Sequence, residues 1–212
     1  MSTHRIYLTE PSRNELSTVI TALGDDAGRH WVELAESILH VRGGGQPSDG
    51  GTLNCSAVAD VRCVDDVVRH YLAEPVGAVG DKVTVVLDRD RRDLMSRWHS
   101  SGHLVASVIE HALGVEFNRA NQHPGDGWVS AESTITLAPD FLKEVNAAIV
   151  DAVRRSLPIT VTAGELRKIT IDGYRAVGCG GTHVDSTTDL HGLVVTRISA
   201  KKGVLRASFN LL

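Results

Sequence analysis

Aromatic residues, long apolar runs and paired cysteines are scarce in this chain of 212 residues, and each scarcity excludes a class of protein. Aromatic side chains make up 4% of the sequence, so an extensive base-stacking surface is not expected. No apolar run reaches the length of about 20 residues that a membrane-spanning helix needs, and no signal-peptide core follows the first methionine. The sequence therefore predicts a cytoplasmic protein with no membrane association.

The three cysteines are odd in number and include no Cys-x-x-Cys pair, which argues against a disulfide framework and for a reducing compartment. The net charge of −4 means that contact with a nucleic acid requires a local basic patch. A hydrophobic content of 42% is ordinary for a globular protein, and the chain is long enough for one large domain or two small ones.

The sequence pattern changes near residue 88. Up to that point, short runs rich in Val, Ile, Leu and Tyr are separated by turn residues, which predicts a small β-barrel or sandwich. Segment 17–28 is compatible with a strand or with a short helix. Beyond residue 88, periodicity predicts helices over 90–114, with Asp90 as N-cap and Gly114 as the end, and over 139–157. The last 22 residues predict a hairpin.

Two short motifs beyond residue 88 predict a metal site. His99 and His103 are four residues apart on the first predicted helix, so their imidazoles project from one face. Cys179 and His183 lie in the glycine-rich turn GCGGTHV. Alone, a histidine pair on a helix is more often partly buried core or surface, and a cysteine in a glycine turn is more often a small buried residue. Together the two pairs form the nitrogen and thiolate set that Zn²⁺ prefers. The usual zincin protease is excluded, because no Glu follows His99 in HSSGH.

The segments RRDLMSRWHSSGHLV and CGGTHV resemble the two signature motifs of the editing domain shared by alanyl- and threonyl-tRNA synthetases and by stand-alone AlaX proteins. GGGQPSDGG resembles the glycine-rich loop of the small barrel that precedes that domain, and the final hairpin is also similar. The resemblance covers residues 36–212. It implies an α+β fold with a small N-terminal β-barrel domain over 1–88, followed by a zinc-binding α/β editing domain over 89–212.

The resemblance implies a trans-acting deacylase that hydrolyses the ester of mischarged tRNA, with aminoacylated tRNA as its partner and no protein partner. Seryl- or glycyl-tRNA(Ala) is the first expectation. A threonine-like or toxic analogue, such as fluorothreonine on tRNA(Thr), is an alternative, because Ser100-Ser101-Gly102 replaces the bulkier Thr-Ala-Leu of many members and so leaves room beside the metal. A non-catalytic tRNA-binding module with a structural zinc and a metallo-esterase for a small metabolite are further alternatives.

The implied chemistry gives His183 the catalytic role, as metal ligand, as general base, or as each in turn. Four protein ligands would close the shell, as in structural zinc sites, so one ligand must move for catalysis. Gln46 is expected to approach the ester, although an ordinary barrel turn is equally compatible with its sequence. The residues expected to bind substrate are Gly44, Gly45, Gln46, Gly180 and Thr182. Lys201 and Lys202 in the hairpin turn are candidates for phosphate contact.

Overall fold

The computed structural model describes residues 3–164 and 166–212, and these residues form two compact units. The first unit contains the described residues up to Gly43 together with Pro47–Asp93. The second contains Gly44–Gln46 together with Leu94–Leu212. The structure thus divides the chain after Asp93, and it assigns the tip of the glycine-rich loop to the second unit.

The first unit is built almost entirely from short strands. These are β1 (His4–Arg5), β2 (Glu15–Asp25), β3 (His30–Leu34), β4 (Glu36–Ser37), β5 (Gly51–Leu53), β6 (Ser56–Val64), β7 (Val67–Leu72) and β8 (Lys82–Leu87). Antiparallel pairings run through β2, β3, β7, β6, β5 and β8 and return to β2, so the ring of six strands closes. Most of segment 17–28 lies in β2 and is therefore strand.

Alternation of side chains explains the core of this unit. Along β2, Leu16 and Ile20 are buried whereas Glu15 and Ser17 are exposed, as the two-residue period of a strand requires. The buried side chains pack inside the ring with those of the neighbouring strands, including Leu34, Leu53 and Val85.

The second unit combines two helices with antiparallel sheets. Its elements are α1 (Arg89–Leu113), which begins in the first unit, β9 (Arg119–His123), β10 (Asp126–Glu132), α2 (Phe141–Arg154), β11 (Ile159–Thr162), β12 (Lys168–Ile171), β13 (Val177–Gly178), β14 (Leu193–Lys201) and β15 (Val204–Leu211). One sheet has the order β14-β15-β10-β9 and the other β11-β12-β13. Both helices contribute to one core with the sheets, through residues such as Leu104, Ile149 and Leu205.

The predicted fold class, α+β with an N-terminal barrel followed by an α/β editing domain, is wrong as a whole: the six strands of the first unit do close into a ring, but the second unit is not an α/β domain. Over the described residues the chain is mostly sheet, with 42% strand against 22% helix in only two α-helices. The pairings in both sheets of the second unit are antiparallel, whereas an α/β domain alternates helices with parallel strands. Tight turns such as the one between β14 and β15 are too short for the crossover that parallel strands need.

The boundaries of α1 show a smaller correction. The helix begins at Arg89, and the carboxylate of Asp88 accepts a hydrogen bond from the Arg91 N–H at 3.0 Å. Asp88 therefore caps the helix, and the expectation for Asp90 is wrong because Asp90 lies inside the first turn. The C-terminal prediction is confirmed, since Gly114 follows the last helical residue with a φ of 67°.

Candidate metal centre

Helix α1 presents two of the four predicted ligands. The neighbouring side chains of Trp98 and Leu104 are buried in the core, which fixes the rotation of the helix. His99 and His103 lie one turn apart on the same face, and their Nε2 atoms are 3.2 Å apart. Both imidazoles therefore face one point in space.

The other two predicted ligands follow strand β13. The Cys179 Sγ lies 3.5 Å from the His99 Nε2, and the His183 ring centroid lies 4.6 Å from that of His99 and 5.2 Å from that of His103. One ligand atom from each of the four residues lies within 4.8 Å of the others. The structure therefore brings the whole predicted set together, across 80 sequence positions between His99 and Cys179.

The protonation states favour a soft divalent cation. Burial lowers the pKa of His103 to about 4, so its imidazole is neutral at physiological pH and has a lone pair available. Burial raises the pKa of the Cys179 thiol, so a thiolate at this position needs a compensating positive charge. A bound Zn²⁺ supplies that charge, and the donor set of imidazoles and one thiolate fits this ion.

Gln46 supports the centre from the tip of the glycine-rich loop. Its amide Nε2 donates to the Thr182 hydroxyl at 2.8 Å, and its Oε1 accepts the Thr182 N–H at 3.0 Å and also contacts the His99 Nδ1. The Ser96 hydroxyl completes the group at 2.7 Å from the Thr182 hydroxyl. With His99 Nδ1–H donating to Gln46, the His99 Nε2 is left unprotonated on the side of the other ligands.

The sequence did not indicate this role for Gln46. The amide is 1% exposed and engaged with His99 and Thr182. Its contact with substrate, and that of Thr182, stays a prediction. Only the position of Gln46 in a glycine-rich loop marked it as functional, because no sequence period connects residues 53 positions apart.

The three predicted substrate-binding glycines and the neighbouring Gly181 fall into two kinds of position. A Cβ on Gly181 would overlap the His99 ring, and a Cβ on Gly45 would lie 2.6 Å from the Ala120 carbonyl oxygen. Gly45 also has a φ of 88°. By contrast, a Cβ on Gly44 or Gly180 would have no other heavy atom within 4 Å. Close packing therefore explains Gly45 and Gly181, and it leaves Gly44 and Gly180 open to a ligand.

The small linker between the two histidines does not open space for substrate. A Cβ on Gly102 would lie 2.8 Å from the Gln122 Nε2, so the side chain of Gln122 fills that space. Ser100 and Ser101 are fully buried. The Ser100 hydroxyl lies 3.3 Å from the His183 Nδ1 and accepts the Val184 N–H at 3.2 Å. These residues pack α1 against its neighbours within the unit.

The remaining sequence expectations concern the surface. Lys201 and Lys202 are exposed at the turn between β14 and β15, as the hairpin prediction required. Within the described ranges, no helix has the length and apolar character needed to cross a membrane.

Comparison with known proteins identifies the relatives of this chain. No family model matches it. It is 25% identical to the alanine–tRNA ligase of Methanopyrus kandleri, over 98% of this chain and 26% of the ligase, and 26% identical to that of Caldivirga maquilingensis, over 84% and 24%. It is also 27% identical to the alanyl-tRNA editing protein Aarsd1 of Danio rerio, over 81% of this chain and 46% of that protein.

This chain is a relative of alanine–tRNA ligases and of an alanyl-tRNA editing protein. The resemblance to AlaX-type editing proteins that the motifs indicated is thereby confirmed. The chain spans about a quarter of the length of the two ligases and less than half of the editing protein.

Proposed function

We propose that this protein is a zinc-dependent aminoacyl-tRNA deacylase that hydrolyses the ester of mischarged tRNA in trans, with seryl- or glycyl-tRNA(Ala) as the first substrates. The cluster of His99, His103, Cys179 and His183 is the observation that carries the proposal. The similarity to an alanyl-tRNA editing protein supports editing as the purpose of the reaction. The proposed setting is the cytoplasm, with aminoacylated tRNA as the partner.

The chemistry of the site divides between the metal and the protein. Bound zinc would polarise the ester carbonyl and lower the pKa of a bound water to about 7. His99, His103 and Cys179 would hold the ion, and Gln46 would keep the His99 ring in its tautomer. His183 would leave the ligand shell and take the proton of the attacking water, because it lies in the glycine-rich turn.

A His183→Ala variant tests this division of roles. Retained zinc with lost hydrolysis supports the general base, whereas loss of zinc shows that His183 is chiefly a ligand. The stoichiometry is measured by elemental analysis, and hydrolysis by release of labelled amino acid.

Deacylation of a panel of charged tRNAs, with and without a chelator, tests the proposed function itself. We expect chelation to abolish hydrolysis and added zinc to restore it. His103→Ala and Cys179→Ala should each lose activity, because each removes one of the clustered ligands. Full activity in either variant, or activity that is indifferent to chelation, contradicts the proposal. Competition by uncharged tRNA separates this enzyme from an esterase of small metabolites.

One observation favours a second candidate, a non-catalytic tRNA-binding module with structural zinc. All four clustered side chains offer ligand atoms, and a closed four-ligand shell is the usual mark of a structural zinc site. This module would bind tRNA and zinc but hydrolyse no member of the panel. The argument that the small linker leaves room for a threonine-like substrate is not supported, because Gln122 fills the space beside Gly102. Threonyl- and halothreonyl-tRNA(Thr) still belong in the panel as its direct test.

A further inference from the structure

The four-stranded sheet β14-β15-β10-β9 has one face in the core and one face turned away from it. Strand register assigns the faces, since Val129, Ala207 and Phe209 are buried while their strand neighbours alternate to the other side. Helix α1 packs on the core face, where the ring centroids of Trp98 and Phe209 are 5.8 Å apart. The metal ligands on α1 therefore lie on the core side of this sheet.

The opposite face, here called the outer face, has two cross-strand rows at its centre. The register places Arg119, Ser130, Arg206 and Ser199 side by side in one row, and Asn121, Trp128, Ser208 and Arg197 side by side in the next. Neither row contains an acidic residue. Asp126 and Glu132 occupy the ends of β10, and Asp126 is engaged by the side chain of Asn121 at 2.9 Å.

Two cations at the centre of the outer face are available to a ligand. Arg119 and Arg206 are exposed, and neither forms an ion pair within residues 3–164 and 166–212. They are two strands apart, which corresponds to roughly 10 Å. In a chain with a net charge of −4, this local concentration of positive charge complements a polyanion. Lys201 extends it along β14.

An aromatic ring lies among these cations. The Arg206 guanidinium carbon is 4.0 Å from the centroid of the Trp128 ring, and Trp128 is half-buried. Unpaired RNA bases stack on aromatic rings and on arginine planes, and hydroxyl and amide side chains bind phosphate and ribose. The half-buried Ser208 offers such a hydroxyl beside the stack, whereas Ser130 is buried and the Asn121 amide donates to Asp126.

We propose that the outer face is a docking surface for the RNA body of the tRNA substrate, where Arg119 and Arg206 contact phosphates and one unpaired base stacks on the Trp128–Arg206 pair. This inference rests on the proposed function. The reacting end must reach the metal ligands on the core side of the sheet, so the outer face contributes affinity for RNA and takes no part in ester hydrolysis.

Binding of an uncharged, fluorescently labelled tRNA(Ala) transcript tests the surface. We expect the double variant Arg119→Gln/Arg206→Gln to raise Kd at least about tenfold and to reduce the slope of log K against log salt by about 1–2. The matched control is Arg154→Gln/Arg155→Gln, which removes the same charge from the end of α2 and should leave Kd within about twofold. Equal Kd values for Arg119→Gln/Arg206→Gln and the wild type contradict the proposed docking surface.

Three further variants separate stacking from charge. Trp128→Ala should weaken RNA binding roughly tenfold, and Trp128→Phe should retain most of the affinity because it keeps an aromatic face. Arg119→Lys/Arg206→Lys keeps the charge and should preserve the salt slope while losing the planar stack. Thermal unfolding and zinc content identify any variant whose fold is damaged. Unchanged affinity in Trp128→Ala overturns the stacking assignment.

Hydrolysis of a short substrate, the seryl ester of adenosine, distinguishes failure of the surface from failure of the proposed function. All outer-face variants should hydrolyse this ester at the wild-type rate while their KM for seryl-tRNA(Ala) rises. If the wild type and the Arg119→Gln/Arg206→Gln variant hydrolyse charged tRNA equally well, the docking surface is rejected but the proposed function is not. Wild-type protein that neither binds nor hydrolyses tRNA rejects both.

Discussion

At the scale of single residues, the proposed metal centre depends on an amide that is not one of its candidate ligands. Gln46 holds the Nδ1 side of His99 and both the N–H and the hydroxyl of Thr182. We predict that Gln46→Ala lowers zinc affinity about 10–100-fold, since such supporting partners fix the ligand tautomer. Competition with a chromophoric chelator measures the zinc affinity. Thr182→Val keeps the backbone contact and should have a smaller effect; equal affinities in Gln46→Ala and the wild type would refute the positioning role.

Two adjacent glycines provide a matched pair at the same scale. In Gly181→Ala the new methyl group would overlap the His99 ring, so we predict loss of zinc binding together with activity. Gly180→Ala meets no heavy atom within 4 Å and should bind zinc normally. Elemental analysis of both proteins checks the contrast, and zinc retained in Gly181→Ala speaks against this packing. If Gly180 contacts substrate, Gly180→Ala should lose deacylase activity while it retains its zinc.

At the scale of elements, the start of α1 is determined by one carboxylate. Asp88 accepts the Arg91 N–H, whereas Asp90 lies within the first turn and acts only on the helix dipole. We predict that Asp88→Ala lowers the free energy of unfolding by about 1 kcal/mol and that Asp90→Ala lowers it by a few tenths. Denaturant titration of the two variants measures the difference. A larger loss of unfolding free energy in Asp90→Ala than in Asp88→Ala would show that Asp90 is the N-cap, as the sequence suggested.

Local patterns predicted the elements better than the way in which they combine. The C-terminal end of α1 at Gly114 and the final hairpin were predictable, because glycine and apolar spacing act over a few residues. The cluster of four candidate ligands was predictable because each pair is local and its chemistry is specific. The antiparallel pairing in the second unit and the contact of Gln46 with His99 depend on tertiary packing, so no local pattern contained them.

At the scale of the whole molecule, stability should depend on pH through a buried histidine. Burial lowers the pKa of His70 to about 4, and its ring contacts the Ser37 hydroxyl at 2.8 Å. Below about pH 6.5 the unfolded chain takes up a proton that the folded chain excludes until about pH 4. His70 therefore does not reduce the free energy of unfolding above about pH 6.5. As the pH falls, it lowers the free energy of unfolding by about 2 kcal/mol at pH 5 and by about 3 kcal/mol below pH 4.

The non-titrating variant His70→Gln isolates this contribution. We predict that the free energy of unfolding falls less between pH 7 and pH 5 in His70→Gln than in the wild type. Both proteins are measured without metal, because protonation of the zinc ligands adds its own pH dependence. Parallel pH profiles in the two proteins would show that His70 does not titrate on unfolding.

The separation of His99 from Cys179 has a consequence for how the protein is made. These two candidate ligands are 80 positions apart in the sequence, and Gln46 and Thr182 are 136 positions apart. At typical elongation rates of about 5–20 residues per second, the ribosome needs roughly 4–16 s to add the chain between the first ligand and the thiolate. During synthesis, α1 therefore emerges with its histidine pair well before the cysteine exists. The complete set of candidate ligands becomes available only once His183 has been translated.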